Sequence, residues 1–536
     1  MKLTVKQCAD SGLGFSLLFF CLSAGLVGGC STLPSLVNRT VSTAIFNTGN
    51  TKLGREISPL VESHPGESGI YPLPDARDAF AARVLLAQAA ERTLDLQYYI
   101  WHGDMSGTLL FNAVRDAADR GVRVRLLLDD HGTSGIDTTL AALDSHPNIE
   151  VRLFNPFVIR KPRGINYLFD FFRLNRRMHN KSFTADNQVT IIGGRNVGDE
   201  YFGVGEGLLY VDLDVMALGP VVSQVSTDFD RYWASESSYP VAGLLPAVSP
   251  ARIAEIAAAA SLIKKDPAAI AYIDAIRNSS FVRELVERRL PLQWAATRMI
   301  SDDPAKGLGL APPEELFPYK LEKIIGPPEI EVDLVAPYFV PGADGTEEFV
   351  ALAQRGVRIR ILSNTFEATD AVGAVHAFYA KRRKALLKGG VELYELRRLA
   401  PVVEQRGNGS PTGSSGSSGS AGSGDSSSSS LHAKTFSVDR ARVFIGSFHF
   451  DPRSADLNTE LGFVIDSPAL ARQIRTVFDE RIADYAYEVR LSEDGDLYWI
   501  EYRDGQRVQH DTEPGTSVWE RAGLRFLSLL PIEWLL

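Results

Sequence analysis

The sequence predicts an α/β protein made of two repeats related by a pseudo-two-fold axis. Each repeat is a mixed or largely parallel sheet flanked by helices, and the two share one active site. Two observations carry this prediction. The first is a duplicated spaced pattern: His179-Asn-Lys181-Ser-Phe-Thr-Ala-Asp186 leads after six residues to Gly193-Gly194-Arg195-Asn196, and His432-Ala-Lys434-Thr-Phe-Ser-Val-Asp439 leads after six to Gly446-Ser447-Phe448-His449. The second is that other blocks recur in the same order. Thr93 to Tyr99 corresponds to Glu331 to Tyr338, and Arg120-Gly121-Val122-Arg123-Val124-Arg125 to Arg355-Gly356-Val357-Arg358-Ile359-Arg360. Each of the latter follows a helical stretch, Leu109 to Ala118 and Thr346 to Ala353, and strands alternating with helices imply α/β layers.

The elements follow in chain order. Residues 1–30 run from the basic start Met1-Lys2 through an apolar stretch around Leu17 to Phe20 and end in small residues at Cys30. That order is a secretory signal, and its ending resembles a bacterial lipoprotein signal, in which Cys30 becomes the lipidated first residue. Acyl chains there would hold the protein on a membrane. The expected location is the cell envelope, facing the periplasm. Ser31 hints at the outer membrane, and inner against outer membrane stays open. The three cysteines are Cys8, Cys21 and Cys30, so the body after residue 30 contains neither disulfides nor cysteine metal sites. Residues 31–70 read as a polar leader and 71–240 as the first repeat. Residues 241–325 read as a helical connector, from Ala-rich and Leu-rich segments broken by Pro267 and Pro291. Residues 326–485 form the second repeat, interrupted by a Gly/Ser tract at 406–430 that reads as a solvated loop. Residues 486–536 are a C-terminal extension, whose apolar end from Leu524 is expected to pack on the second repeat. Within each motif the His and Lys are expected to share one face of a strand.

The duplicated pattern resembles the phospholipase D superfamily with its repeated HxKxxxxD motif. Two His-Lys pairs converging on one pocket suit a phosphodiester. Lys181 and Lys434 would bind the nonbridging oxygens. One histidine would attack phosphorus and the other protonate the departing alcohol, so the pair must start in opposite protonation states; family habit favours His179 as nucleophile. Asp186 and Asp439 complete the catalytic sets, fixing hydrogen bonding around the motifs. The resemblance also implies supporting or substrate-binding roles for Asn196, Ser447, His449, Asp214 and Glu460. His449 departs from the Asn usual in the family. Asp212 and Asn458 are weighed beside Asp214 and Glu460 as partners of a motif histidine. The mechanism needs no metal or cofactor, and none is expected.

Composition narrows the substrate. A net charge of −10 argues against a protein that coats nucleic acid. The run from Ile165 to Arg177, with Arg160, Lys161 and Arg163 upstream, mixes aromatic, aliphatic and basic residues as a lipid interface does. Lys381 to Lys384 with Lys388 reads as the exposed face of a repeat helix. Leu94 to Trp101, Leu128 to His131, Gly446 to Ser454 and Leu529 to Leu536 are similar to bacterial cardiolipin synthases of the C type. That similarity implies phosphatidyl transfer onto phosphatidylglycerol from a second phospholipid, phosphatidylglycerol or phosphatidylethanolamine, with membrane lipids as partners and no nucleic acid. A phospholipase D releasing phosphatidic acid, a secreted nucleic-acid phosphodiesterase and a non-catalytic lipoprotein are the competing readings.

Overall fold

The structure, a computed structural model, describes residues 33–205, 209–369, 373–398, 429–503 and 505–536. Cys8, Cys21, the proposed lipidation site Cys30 and nearly all of the Gly/Ser tract lie outside the described residues.

Two large sheets carry the molecule. The first runs in the order Gln293–Ala295, Ser68–Leu73, Asp214–Leu218, Val189–Gly193, Ser182–Ala185, Thr93–Ile100, Arg123–Gly132, Ile149–Phe154, Ser238–Pro240. The second runs Thr297–Ser301, Leu461–Asp466, Arg442–Gly446, Thr435–Val438, Glu331–Val335, Arg358–Asn364, Glu392–Leu396, Ala486–Leu491, Leu497–Arg503, Gln506–His510. The sheets are mixed: only the central triplets Thr93–Ile100 to Ile149–Phe154 and Glu331–Val335 to Glu392–Leu396 are parallel. Parallel neighbours require crossovers. Helices Met105–Asp119 and Asp137–Asp144 supply them in the first repeat, and Gly342–Gln354 and Gly373–Lys388 in the second. Helix Met105–Asp119 shows why these segments are helical: Asp104 caps its first turn, and Leu110, Val114, Ala117 and Ala118 recur on the face it buries.

A buried ion pair fixes the central register in each repeat. Arg125 meets Asp95 through Nε and Nη2 at 2.7 and 2.8 Å, and Arg360 meets Asp333 at 2.6 and 2.9 Å. Both pairs fall within the blocks that repeat in the sequence. The sheets join through a core of Ile192, Val215 and Ala217 from one and Val443, Ile445 and Phe463 from the other.

Several expected boundaries change. The leader is no tether: helix Lys52–Glu62 buries Ile57 in the first core, and Arg39 donates to the carbonyls of Ala234, Ser235 and Ser238. Strand Ser68–Leu73 begins the first repeat before residue 71. The connector is helical from Pro250 to Val286 but ends in two strands, Gln293–Ala295 and Thr297–Ser301, one added to each sheet. Three- and five-residue edge strands carry too little periodicity to be read alone. Ser429 and Ser430, placed in the Gly/Ser loop, begin the strand Ser429–Leu431. The C-terminal extension adds three strands to the second sheet, and its helix Val518–Leu527 buries Leu524. Helix Gly373–Lys388 is not basic on an exposed face alone, since Arg383 is buried between Glu395 and Glu513.

Candidate active site

Each motif histidine enters the centre of the molecule on a segment that pairs with the other repeat. Strand Ser429–Leu431 lies parallel to Leu209–Val211, and the His432 N–H donates to the Val211 carbonyl at 2.8 Å. Met178 bridges Thr459 in the same parallel sense, and the His179 N–H donates to the Thr459 carbonyl at 2.9 Å. These pairings set the next residue of each partner segment beneath a histidine. Asp212 Oδ2 lies 2.5 Å from His432 Nδ1, and Glu460 Oε2 lies 2.9 Å from His179 Nδ1. Each imidazole is therefore held by a carboxylate from the opposite repeat. With Nδ1–H donated to Glu460, the Nε2 lone pair of His179 is left for chemistry.

His and Lys do not lie on strands as expected. They occupy the extended segments just before Ser182–Ala185 and Thr435–Val438, where the histidine N–H groups pair across the repeats. Both lysine amino groups are buried and fold back toward the histidine of their own motif, and burial pushes Lys181 well below its ordinary value. Lys181 Nζ donates to the His179 carbonyl at 2.7 Å, and Lys434 Nζ lies 2.7 Å from His432 Nδ1.

Electrostatics act strongly on the buried groups. Burial pushes His179 well below its ordinary value, and Lys181 and Lys434 push the same way, so its ring is neutral at pH 7. Burial lifts its partner Glu460 to about 7. Burial would also raise Asp212, but Lys434 and His432 outweigh it and hold this carboxyl at about 2. Asp212 is thus an anion beside His432 Nδ1. His449, buried 5.5 Å from the His179 ring and 6.2 Å from the His432 ring, is driven well down by burial and by Lys434, and is neutral.

The glycines of the motif are explained by close approach. A Cβ on Gly194 would lie 2.1 Å from Asp212 Oδ1, whereas Ser447 at the matching position donates to Glu460 Oε2 at 2.5 Å.

Other expected residues stand elsewhere. Asp186 accepts from the backbone N–H groups of Glu91, Arg92 and Thr93, and Asp439 from those of Glu329, Ile330 and Glu331. Both sit in turns with φ near +50° at the far end of the strand from the lysine. They pin the start of the central strand, so their assignment to the catalytic sets is corrected: they are structural. Asp214 is likewise corrected. It faces away from His432 and binds Arg83 at 2.8 Å and the Arg195 N–H at 3.1 Å; Asp212, two residues earlier, takes the histidine. Asn458 bonds through its backbone to the Arg453 carbonyl. Asn196 accepts from the Ile100 N–H and donates to Tyr201 Oη, supporting the site from behind.

Sequence reasoning missed the aromatic cage. Tyr99 stands edge-on to His179 at 5.0 Å, Tyr201 edge-on and Tyr210 tilted against His432 at 5.4 and 4.9 Å, and Tyr338 stacks on His449 at 4.6 Å. Tyr99 and Tyr338 close the repeated blocks, which was the available signal. At the surface His102, Asp104 and Glu200 bring three potential ligand atoms within 4.8 Å, apart from the motif residues.

Comparison with known proteins agrees with this geometry. A family model described as "Cardiolipin synthase, PLD-like domain" matches residues 84–233 and 321–482. Cardiolipin synthase C of Escherichia coli (strain K12) is 49% identical over 488 residues, covering 90% of this chain and all of that protein. Cardiolipin synthase A of Buchnera aphidicola is 23% identical over 82% of this chain and 75% of its own length. Among solved structures, phosphatidylserine synthase of Haemophilus influenzae Rd KW20 superposes with a TM-score of 0.53 at 12% identity, covering 90% of this chain and all of that one, a likeness of fold. The two repeats and the matches along both of them establish that the chain belongs to the phospholipase D-like cardiolipin synthase family.

Proposed function

We propose that the protein is a phosphatidyltransferase that makes cardiolipin from phosphatidylglycerol and a second phospholipid, phosphatidylglycerol or phosphatidylethanolamine. The observation that carries this reading is the pair of motif histidines on either side of His449, each held by a carboxylate of the other repeat. His179 Nε2 attacks the phosphorus of the donor lipid. The bond to the headgroup oxygen breaks, and that oxygen takes the proton of His432, leaving as glycerol or ethanolamine. Lys181 and Lys434 offset charge on the nonbridging oxygens. A glycerol hydroxyl of phosphatidylglycerol then attacks the phosphohistidine while His432 takes its proton back, and cardiolipin leaves.

One phosphodiester replaces another, so the exchange needs no nucleotide. What it does need is exclusion of water from the intermediate, and the buried imidazoles behind Tyr99, Tyr201 and Tyr338 support that. Anchoring through a lipidated Cys30, in an envelope membrane and facing the periplasm, completes the reading. Among the described residues no helix is long and apolar enough to cross a membrane.

The test is to reconstitute the full chain with labelled phosphatidylglycerol, with and without phosphatidylethanolamine, beside His179→Ala and His432→Ala. Cardiolipin lost in both variants is the expected result, and the ethanolamine dependence names the donor. Phosphatidic acid as the main product would make the protein a hydrolase.

A further inference from the structure

Helices of soluble proteins turn their apolar stripe inward; the helix just before the first motif turns it outward. Ile165, Leu168, Phe169 and Phe172 are exposed along the turn Arg163–Asn166 and the helix Tyr167–Leu174, which kinks at Asp170 (φ −143°, ψ 41°). Leu168 and Phe172 are each 77% exposed and Phe169 is 67% exposed. The segment is nevertheless fixed in place. Leu174 is buried, and Tyr167 Oη meets His131 at 3.3 Å, with Tyr99 stacked beyond His131 and edge-on to His179. The exposed stripe therefore stands on the rim of the catalytic pocket.

A second apolar segment, remote in sequence, joins it there. Arg453 donates to the Asn175 carbonyl and side chain at the end of this helix, and also to the Leu535 carbonyl. This clamps the C-terminal tail, with Leu529 79% and Trp534 50% exposed, beside the stripe. The chain is acidic overall, yet this rim is not. Asp170 and Glu533 are paired to Arg173 and Arg382, while Lys161, Lys381 and Arg525 are exposed around it.

We propose that the two segments form a single docking face for an anionic phospholipid surface. The aromatic and aliphatic side chains enter the acyl boundary and the cations meet the headgroups. Docking sets the catalytic mouth against the bilayer, so this inference deepens the phosphatidyl-transfer reading and rests on it for its purpose, though not for its measurement.

The body after Cys30 contains no cysteine, which permits single labels. Leu168→Cys and Phe172→Cys, each in the full chain with Cys8 and Cys21 changed to Ser, are labelled with a nitroxide and compared with the same chain lacking the new cysteine. On phosphatidylcholine vesicles containing phosphatidylglycerol, both labels should become accessible to oxygen and shielded from a water-soluble nickel chelate, and less so on phosphatidylcholine alone. Labels that stay in water on both vesicles overturn the proposal, as does shielding without vesicles, which would mean a second copy covers the face. Equal insertion into both vesicles overturns the anionic partner. In parallel, Leu168→Glu with Phe172→Glu should lose roughly tenfold or more in transfer on vesicles and keep it on detergent-dispersed phosphatidylglycerol; equal loss in both overturns the docking role. Wild-type protein inactive on both vesicles and dispersed lipid would instead sink the phosphatidyl-transfer reading and leave the nitroxide result standing.

Discussion

The two repeats are alike in scaffold and unlike in the residues that set proton positions. Both have the buried Asp–Arg pair on the central strands and the turn aspartate that pins the strand start. They differ at three matched places: Gly194 against Ser447, Asp212 against Glu460, and Asn196 against His449. Gly194 leaves room for the shorter Asp212 carboxylate, which stays ionised beside Lys434 and His432. Ser447 donates to the longer Glu460, which burial lifts to about 7 beneath a neutral His179. A duplicated fold thus gives its two motif histidines unlike surroundings through small changes around two matching motifs.

The sharpest way to break this comparison is to remove each histidine in turn and offer a leaving group that needs no proton. With natural lipid, His179→Asn and His432→Asn should both lose turnover by roughly 10³-fold or more. With a phospholipid whose headgroup is p-nitrophenol, His432→Asn should still release a burst of nitrophenol, and His179→Asn should not. Equal loss for both variants would end the division of roles.

Next in size is the space at Gly194. Gly194→Ser places a Cβ against Asp212 and should cost about 10²-fold in turnover by displacing the partner of the general acid. Ser447→Gly, which removes one hydrogen bond, should cost about tenfold or less. Steady-state rates with natural lipid measure both, and similar losses would show that the two carboxylates are not packed differently.

His449→Asn gives the second repeat the residue of the first. Because His449 is already neutral and touches neither motif carboxylate through a hydrogen bond among the described residues, turnover should fall by no more than about tenfold, with cardiolipin still the product. A loss as large as that of His432→Asn would make the third imidazole a proton carrier in the reaction.

The smallest expected effect is on stability. Glu460 is raised from 4.5 to about 7 in the folded state. Its contribution is therefore fully present below pH 4.5 and is lost as pH rises through 7. Glu460→Gln removes this titration, so its Tm should fall less than that of the wild type between pH 5 and pH 8. An identical fall in both proteins would show that Glu460 ionises normally.

Much of this was legible in the chain. The repeated blocks around Arg125 and Arg360 and the helices after each central strand are local patterns, and each became the element it implied; the motif pairs were legible as residues, though not as strand positions. The choice between Asp212 and Asp214 was not legible. Two acids separated by one residue present the same signal, and only the neighbouring strands show that Asp214 faces Arg83 while Asp212 faces the other repeat. The motif aspartates mislead for a related reason: Asp186 and Asp439 recur at fixed spacing because the turn needs them, and fixed spacing does not separate a turn from a site.

The sequence by itself determined that the His-Lys pairs and the blocks around them occur twice, because motif spacing and strand–helix alternation are properties of short segments. The tertiary structure alone decided which carboxylate serves which histidine. The partners Asp212 and His432 lie 220 residues apart, and His179 and Glu460 lie 281 apart. Contacts at such separations arise from packing the two sheets face to face, and local periodicity holds no trace of them.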